Sequence, residues 1–295
     1  MNQWSLLIIS MVSALLSGIF RKIYAGKYAV SEASRHGFNI LSAIFTAICL
    51  ILINKGYSAS QFTFVLGMIF GVITALQQIF MLKALESGPW SYTSVIVSFS
   101  TIIPSLSGVI LFGEKLDVIQ IVGMFLMGVC IFLSTDFSDS KKDKSIKWMI
   151  YCLITFFTTG LIGLMQKVHQ STSYKNELGG FLITAFFISA VYSSFGMFKN
   201  LEKGKKPENI KSIFTLSASV IMATCGICAA INNQLNLFLT GIMDSAVFFP
   251  IVNGGGLVLT VISSIILFKE KLSIRQWIGI FTGILSVVFL CNPFR

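Results

Sequence analysis

Apolar residues fall in ten runs along this chain, each closed off by a short polar or charged stretch. The runs predict helices at approximately 4–20, 36–54, 62–82, 89–112, 117–134, 147–166, 180–198, 212–239, 245–268 and 273–291. Several of them, such as "WSLLIISMVSALLSGIF" and "WIGIFTGILSVVFL", approach the length that a hydrocarbon core of about 30 Å asks of a helix. Most connections are short, but "DFSDSKKDKSIK" (136–147) and "KNLEKGKKPENIK" (199–211) are longer and charged. The first is the natural midpoint, and it divides the chain into 1–140 and 141–295, with five spans each.

The two halves repeat one another. "LFGEKLDVIQIVG", from Leu111 to Gly123, returns 156 residues later as "LFKEKLSIRQWIG", from Leu267 to Gly279, with seven of thirteen positions identical. At the same spacing Ser107 falls on Ser263, Ile110 on Ile266, Gln78 on Gln234 and Gln77 on Asn233. An odd number of spans in each half makes the second copy enter the membrane from the opposite side. The expected fold is therefore an all-α membrane protein of ten transmembrane helices, arranged as two inverted five-helix repeats. Asp117 and Ser273 stand at equivalent places before the fifth and tenth spans, where each suits an N-cap.

Composition agrees with the membrane reading. Hydrophobic residues make up 55% of the chain, charged residues 12%, and mean hydropathy is +0.82. A soluble domain carries about 25% charge. The net charge of +10 does not point to nucleic acid, because the basic residues sit in short loops between apolar runs. The first run has no basic stretch before it and Arg21–Lys22 after it, the reverse of a cleaved signal, so it reads as the first membrane helix. Cys49, Cys130, Cys152, Cys225, Cys228 and Cys291 all lie in or at the end of apolar spans. "CGIC" at 225–228 lacks nearby further ligands for zinc and reads as packing. No metal or other cofactor is expected.

Pro104 to Val129, "PSLSGVILFGEKLDVIQIVGMFLMGV", resembles the EamA branch of the drug/metabolite transporter superfamily: a Pro-kinked helix, a Gly–Glu corner, then Gln and Gly in the next helix. The resemblance implies ten helices in two inverted repeats and transport of small organic solutes, often by export. The second copy departs from it, with Thr260 at the place of Pro104, Lys269 at that of Gly113, and Pro250 ten residues before Thr260. The related small multidrug pumps depend on a Glu in the first helix. The first run here has no acidic residue, which argues against proton-coupled exchange of hydrophobic cations. Orientation has two answers. Loops after odd-numbered spans carry 17 of the 22 Lys and Arg, which puts both termini outside; the resemblance implies termini in the cytoplasm.

Candidate solute contacts are the polar residues that a lipid environment would turn inward. Asn232, Asn233, Gln234 and Asn236 supply four amides in five residues, with Gln77 and Gln78 (and Thr74 on the same face) in the equivalent stretch of the third span. Inversion places the two clusters on opposite sides of the midplane, as two ends of one cavity or as parts of two gates. The competing reading is interhelical hydrogen bonding, worth about 0.6 kcal/mol per contact. Ser94 and Ser98 lie in a hydroxyl-rich fourth span around Pro104. Pro104 and Pro250 predict kinks, Gly254, Gly255 and Gly256 a hinge or close approach, and Asn253 a cavity contact one turn beyond Pro250. Trp90 and Tyr92 read as interfacial anchors or as an aromatic wall for the solute, Arg35 as reaching headgroups or solute, and Glu114 and Glu270 as reaching water at the membrane edge.

The expected function is a secondary active or facilitative transporter of a small polar or zwitterionic metabolite, by alternating access, in the cell membrane. A flippase for a lipid-linked carrier and multidrug efflux remain as alternatives, with a membrane-embedded lipid-modifying enzyme a remote one. Partners are the solute and the lipid bilayer, with a homodimer left open.

Overall fold

The computed structural model describes residues 2–29, 31–115, 117–134, 142–203, 213–269 and 274–291. Among these the helices are α1 (Gln3–Lys27), α2 (Glu32–Asn54), α3 (Gln61–Ser87), α4 (Trp90–Ser98), α5 (Ile102–Phe112), α6 (Val118–Ser134), α7 (Lys142–Gln170), α8 (Leu178–Lys203), α9 (Leu216–Thr240), α10 (Ser245–Phe268) and α11 (Ile274–Cys291). The 3-10 segment Phe99–Thr101 joins α4 to α5, so the two form one crossing and the total among the described residues is ten. Eight crossings are long and apolar enough to span a membrane. The fifth of each repeat is shorter, α6 with 17 residues and α11 with 18. Glu270, Ser273, the side chain of Tyr92 and most of the two charged connections lie outside the described residues.

Local chemistry sets the ends. Ser31 accepts from the Ser34 N–H while the Ser34 hydroxyl accepts from the Ser31 N–H, a reciprocal cap that opens α2. Ser60 and Thr215 cap α3 and α9. Gln120 accepts from the Asp117 N–H at 3.0 Å at the start of α6. The helix end before the corner is the same in both halves. Gly113 (φ 65°) and Lys269 (φ 52°) both close their helices in the left-handed region, each with its N–H returned to the carbonyl five residues back, Gly108 and Ser264. Glycine adopts that region freely; lysine does so at a cost of about 1–2 kcal/mol.

Pro104 interrupts the fourth crossing where its missing N–H predicts: the segment just ahead of it tightens into the 3-10 turn. Pro250 behaves differently. It sits inside the unbroken helix α10 as its sixth residue.

Packing is organised by exchange between the repeats. Crossings one and three of the first repeat lie on three and one of the second (α1 on α9, α3 on α7). The second crossings meet each other (α2 on α8), as do the fourth (α4 and α5 on α10) and the fifth (α6 on α11). Swapping the repeats leaves this pattern unchanged, which is the signature of a pseudo-twofold axis. Two glycines make it possible. A Cβ on Gly71 of α3 would stand 2.4 Å from the Ala185 carbonyl of α8, and one on Gly226 of α9 would stand 2.4 Å from the Ser42 carbonyl of α2. The crossings close into a ring in which α1, α9, α2, α8, α3, α7, α4–α5 and α10 follow one another. The α6–α11 pair stands outside it with Phe125 and Phe281 exposed.

Trp90 corrects its expectation. It is 2% exposed, set edge-on to Phe268 at 5.5 Å, with its indole filling the slot that Gly18 leaves on α1. It anchors the core, not the membrane interface.

Candidate functional site

The ring lines a partly open cavity of about 210 Å³, room for about seven water molecules. Its walls come from the first, third and fourth crossings of both repeats, except that the first repeat's fourth crossing adds nothing while α8 adds Phe186. On α1 the lining residues are Ala14, Ser17 and Arg21; on α7 they include Thr159, Ile162 and Gln166. These pair off at a constant separation of 145 residues, and one step further along, Lys22 pairs with Lys167.

The two lysines share a task. Lys22 Nζ donates to the Leu85 and Gly88 carbonyls at 3.0 and 3.2 Å, at the end of α3. Lys167 Nζ lies against the Thr240 and Met243 carbonyls at 3.5 and 3.4 Å, at the end of α9. In each repeat the first crossing therefore supplies a cation to the carbonyl end of the third, where the helix dipole favours it.

Lys167 also forms a 2.6 Å ion pair with Glu114, whose carboxylate accepts from the Ala246 N–H at the start of α10 at 3.3 Å. The Glu114 side chain is only 7% exposed, which overturns the expectation that it reaches water at the membrane edge. Burial alone would raise its pKa, but Lys167 and the Ser245 and Ala246 N–H groups hold it below the ordinary carboxylate value. This cluster ties the α5–α6 corner to α7 and α10 on the face where α1 begins. On the other face, Arg35 is paired with Glu86 and Glu32, and Lys83 with Glu32 at 2.8 Å. Arg35 is thus spent on ion pairs at the rim and is absent from the cavity lining.

The structure gathers six of the expected solute contacts. Gln77 and Gln78 face Asn232, Asn233, Asn236 and Asn253 across one cavity. Asn232 and Asn236 are partly committed: Asn232 donates to the Ser10 carbonyl and hydroxyl at 3.0 Å each, and the Ser10 hydroxyl donates to Asn236 at 2.5 Å. Asn233 donates to its own helix at Ala229. Gln78 keeps a buried Oε1 with no hydrogen-bond partner, and the Thr74 hydroxyl beside it is equally unmet. Gln234 turns away and exchanges two 3.1 Å amide hydrogen bonds with Asn54. Ser94 and Ser98 are also absent from the lining. Pro104 packs where Gly163 leaves space, Gly255 faces the Met11 sulfur, Gly254 is buried, and a Cβ at Gly256 would meet no neighbouring element among the described residues.

Sequence reasoning missed Arg21 and Gln166. Both sit at the last residue or just beyond the apolar runs from which spans were drawn, whereas α1 continues to Lys27 and α7 to Gln170. The available signal was the pair "RK" and "QK" at a fixed separation, 21–22 and 166–167.

No protein-family model and no curated protein matches the chain. Twenty-eight chains of solved structures match it in fold. One, described only as the crystal structure of a protein, superposes with a TM-score of 0.67 over 97% of each chain at 12% identity. That likeness speaks to the fold alone. This is a multi-pass membrane protein built on an inverted repeat. Its helix contacts have the symmetry of two inverted five-helix repeats.

Proposed function

We propose that this chain is an EamA-type secondary or facilitative transporter of a small polar or zwitterionic metabolite, with 1–140 and 141–295 as its two repeats and the cell membrane as its site. The observation that carries the reading is the central cavity, which is polar, about 210 Å³, and walled by matching crossings of both repeats. Polar side chains inside a membrane protein are costly unless they meet one another or a wet pathway. Here amides from α3 and α9 turn towards a shared space instead of pairing fully within the ring.

A cavity between two inverted repeats can open to either face by equivalent motions. The Glu114–Lys167 cluster closes ranks on one face in the present state, and it would have to loosen for that face to open. The test is counterflow into proteoliposomes, with a panel of amino acids, hydroxy acids, polyamines and sugars. Accelerated exchange of at least one solute is expected. Protein that is folded by size-exclusion and thermal melting yet moves no member of the panel would remove the reading.

A further inference from the structure

The cavity mixes amide and hydroxyl side chains with apolar ones such as Ile162, Phe186 and Phe249, and its charge is one-sided. Of the seventeen lining residues one is ionised, Arg21, and none is acidic. Arg21 stands six residues inside the end of α1, about 9 Å along the helix axis. Its Nε is buried with no hydrogen-bond partner, and no ion pair joins it to a carboxylate among the described residues. A guanidinium cannot shed its proton, so it cannot neutralise itself as a lysine could. Four other cations of the ring are engaged: Lys22 and Lys167 cap helix ends, while Arg35 and Lys83 face Glu32 and Glu86.

We propose that Arg21 is the binding site for the carboxylate of the transported solute, and that the solute carries a hydrogen-bond donor near that carboxylate, as a small amino or hydroxy acid does. The inference rests on the reading of the cavity as a transport site. Arg21 offers a planar donor fork suited to a carboxylate. Across from α1, on α3, Gln78 Oε1 and the Thr74 hydroxyl are unmet and buried, and both line the same cavity. An unpaired cationic donor and an unpaired acceptor in one small space complement a molecule with an anionic acceptor at one point and an N–H or O–H at another. A single cation balances one negative charge, and a volume of about 210 Å³ suits a small solute. A dianionic phosphate would leave its second charge unmet.

The second repeat supplies the control. Gln166 occupies the place of Arg21 on α7, so Arg21→Gln introduces a side chain the fold already accepts at the equivalent position. Counterflow in proteoliposomes is measured for wild type, Arg21→Gln and Arg21→Lys, with alanine, glycine and lactate set against alaninamide, putrescine, glucose and inorganic phosphate. Thermal melting without solute checks that each variant is folded. Exchange of at least one of the three carboxylates is expected, reduced tenfold or more by Arg21→Gln and less by Arg21→Lys, at unchanged melting temperature. Exchange confined to alaninamide, putrescine, glucose or phosphate would overturn the inference and leave the transporter reading standing. So would carboxylate exchange that Arg21→Gln leaves intact. If Arg21→Gln instead melts far below wild type, Arg21 is structural and the inference fails. Absence of exchange for every solute in wild type would end both readings together.

Discussion

Helices α1 and α7 hold equivalent places in the ring, and laid one on the other they agree in the outer residue and differ in the inner ones. Lys22 and Lys167 each hold the carbonyl end of the third crossing of their own repeat. One residue back, Arg21 meets Gln166, and deeper still Ser17 meets Ile162 and Ala14 meets Thr159. The same divergence runs along the third crossings, where Asn232 and Asn236 correspond to Leu76 and Phe80. What maintains the architecture is thus written twice, and what meets the cavity is written once. An inverted repeat needs symmetry to rock between two states, but a solute with unlike ends needs an asymmetric lining.

The structural side of that comparison breaks most severely at Lys167. Lys167→Met leaves the Glu114 carboxylate buried with only the N–H groups at the start of α10 to meet its charge, which costs about 3 kcal/mol. Thermal melting in detergent should show a large loss, and the double variant Lys167→Met with Glu114→Gln should lose less than the single one. The acid side tests the same pair more gently. The Glu114 pKa is lowered in the folded protein, so its stabilisation is complete above the ordinary carboxylate value and fades as pH falls through the folded value. Melting temperature should therefore drop in that acidic range, and Glu114→Gln should flatten the drop.

On the lining side, Asn232→Leu gives α9 the residue that α3 carries at the matching position. It removes two hydrogen bonds to Ser10 and should weaken exchange about fivefold, equivalent to about 1 kcal/mol. The smallest effect is expected away from the cavity, at the α2–α8 seam. There Asn39 donates to the Ser189 and Ser193 hydroxyls at 3.0 and 2.6 Å. Asn39→Ala should cost about 0.6 kcal/mol in stability and leave solute selectivity unchanged.

Much of the architecture could be read from hydropathy, because a membrane leaves little choice about where a long apolar run goes. The repeat gave the inversion, and the amides of α3 and α9 pointed to their shared space. Other features depend on packing that no single run records. Arg21 looked like a loop residue because hydropathy stops near Phe20, but the last turns of α1 are held in the core by buried Tyr24 and Ala25. Trp90 has the composition of an interface anchor, and only the gap left by Gly18, far away in sequence, makes it a core residue. Gln234 aligns with Gln78, but its direction is decided by Asn54 on another helix. Glu114 looked exposed because the corner is charged; its partners come from α7 and α10.

The alternation of the ring bears on how the protein is made. Around the ring, α1, α2 and α3 have their largest contacts with α7, α8 and α9, which are synthesised later. When the first five crossings have left the ribosome, the surfaces of Gly71 and Thr46 still lack the carbonyls they will meet, on Ala185 and Gly226. The early half must therefore wait in the bilayer as loosely associated helices, and the final fold forms when the late half threads between them. Separately expressed halves should be short-lived alone and recover each other when made together.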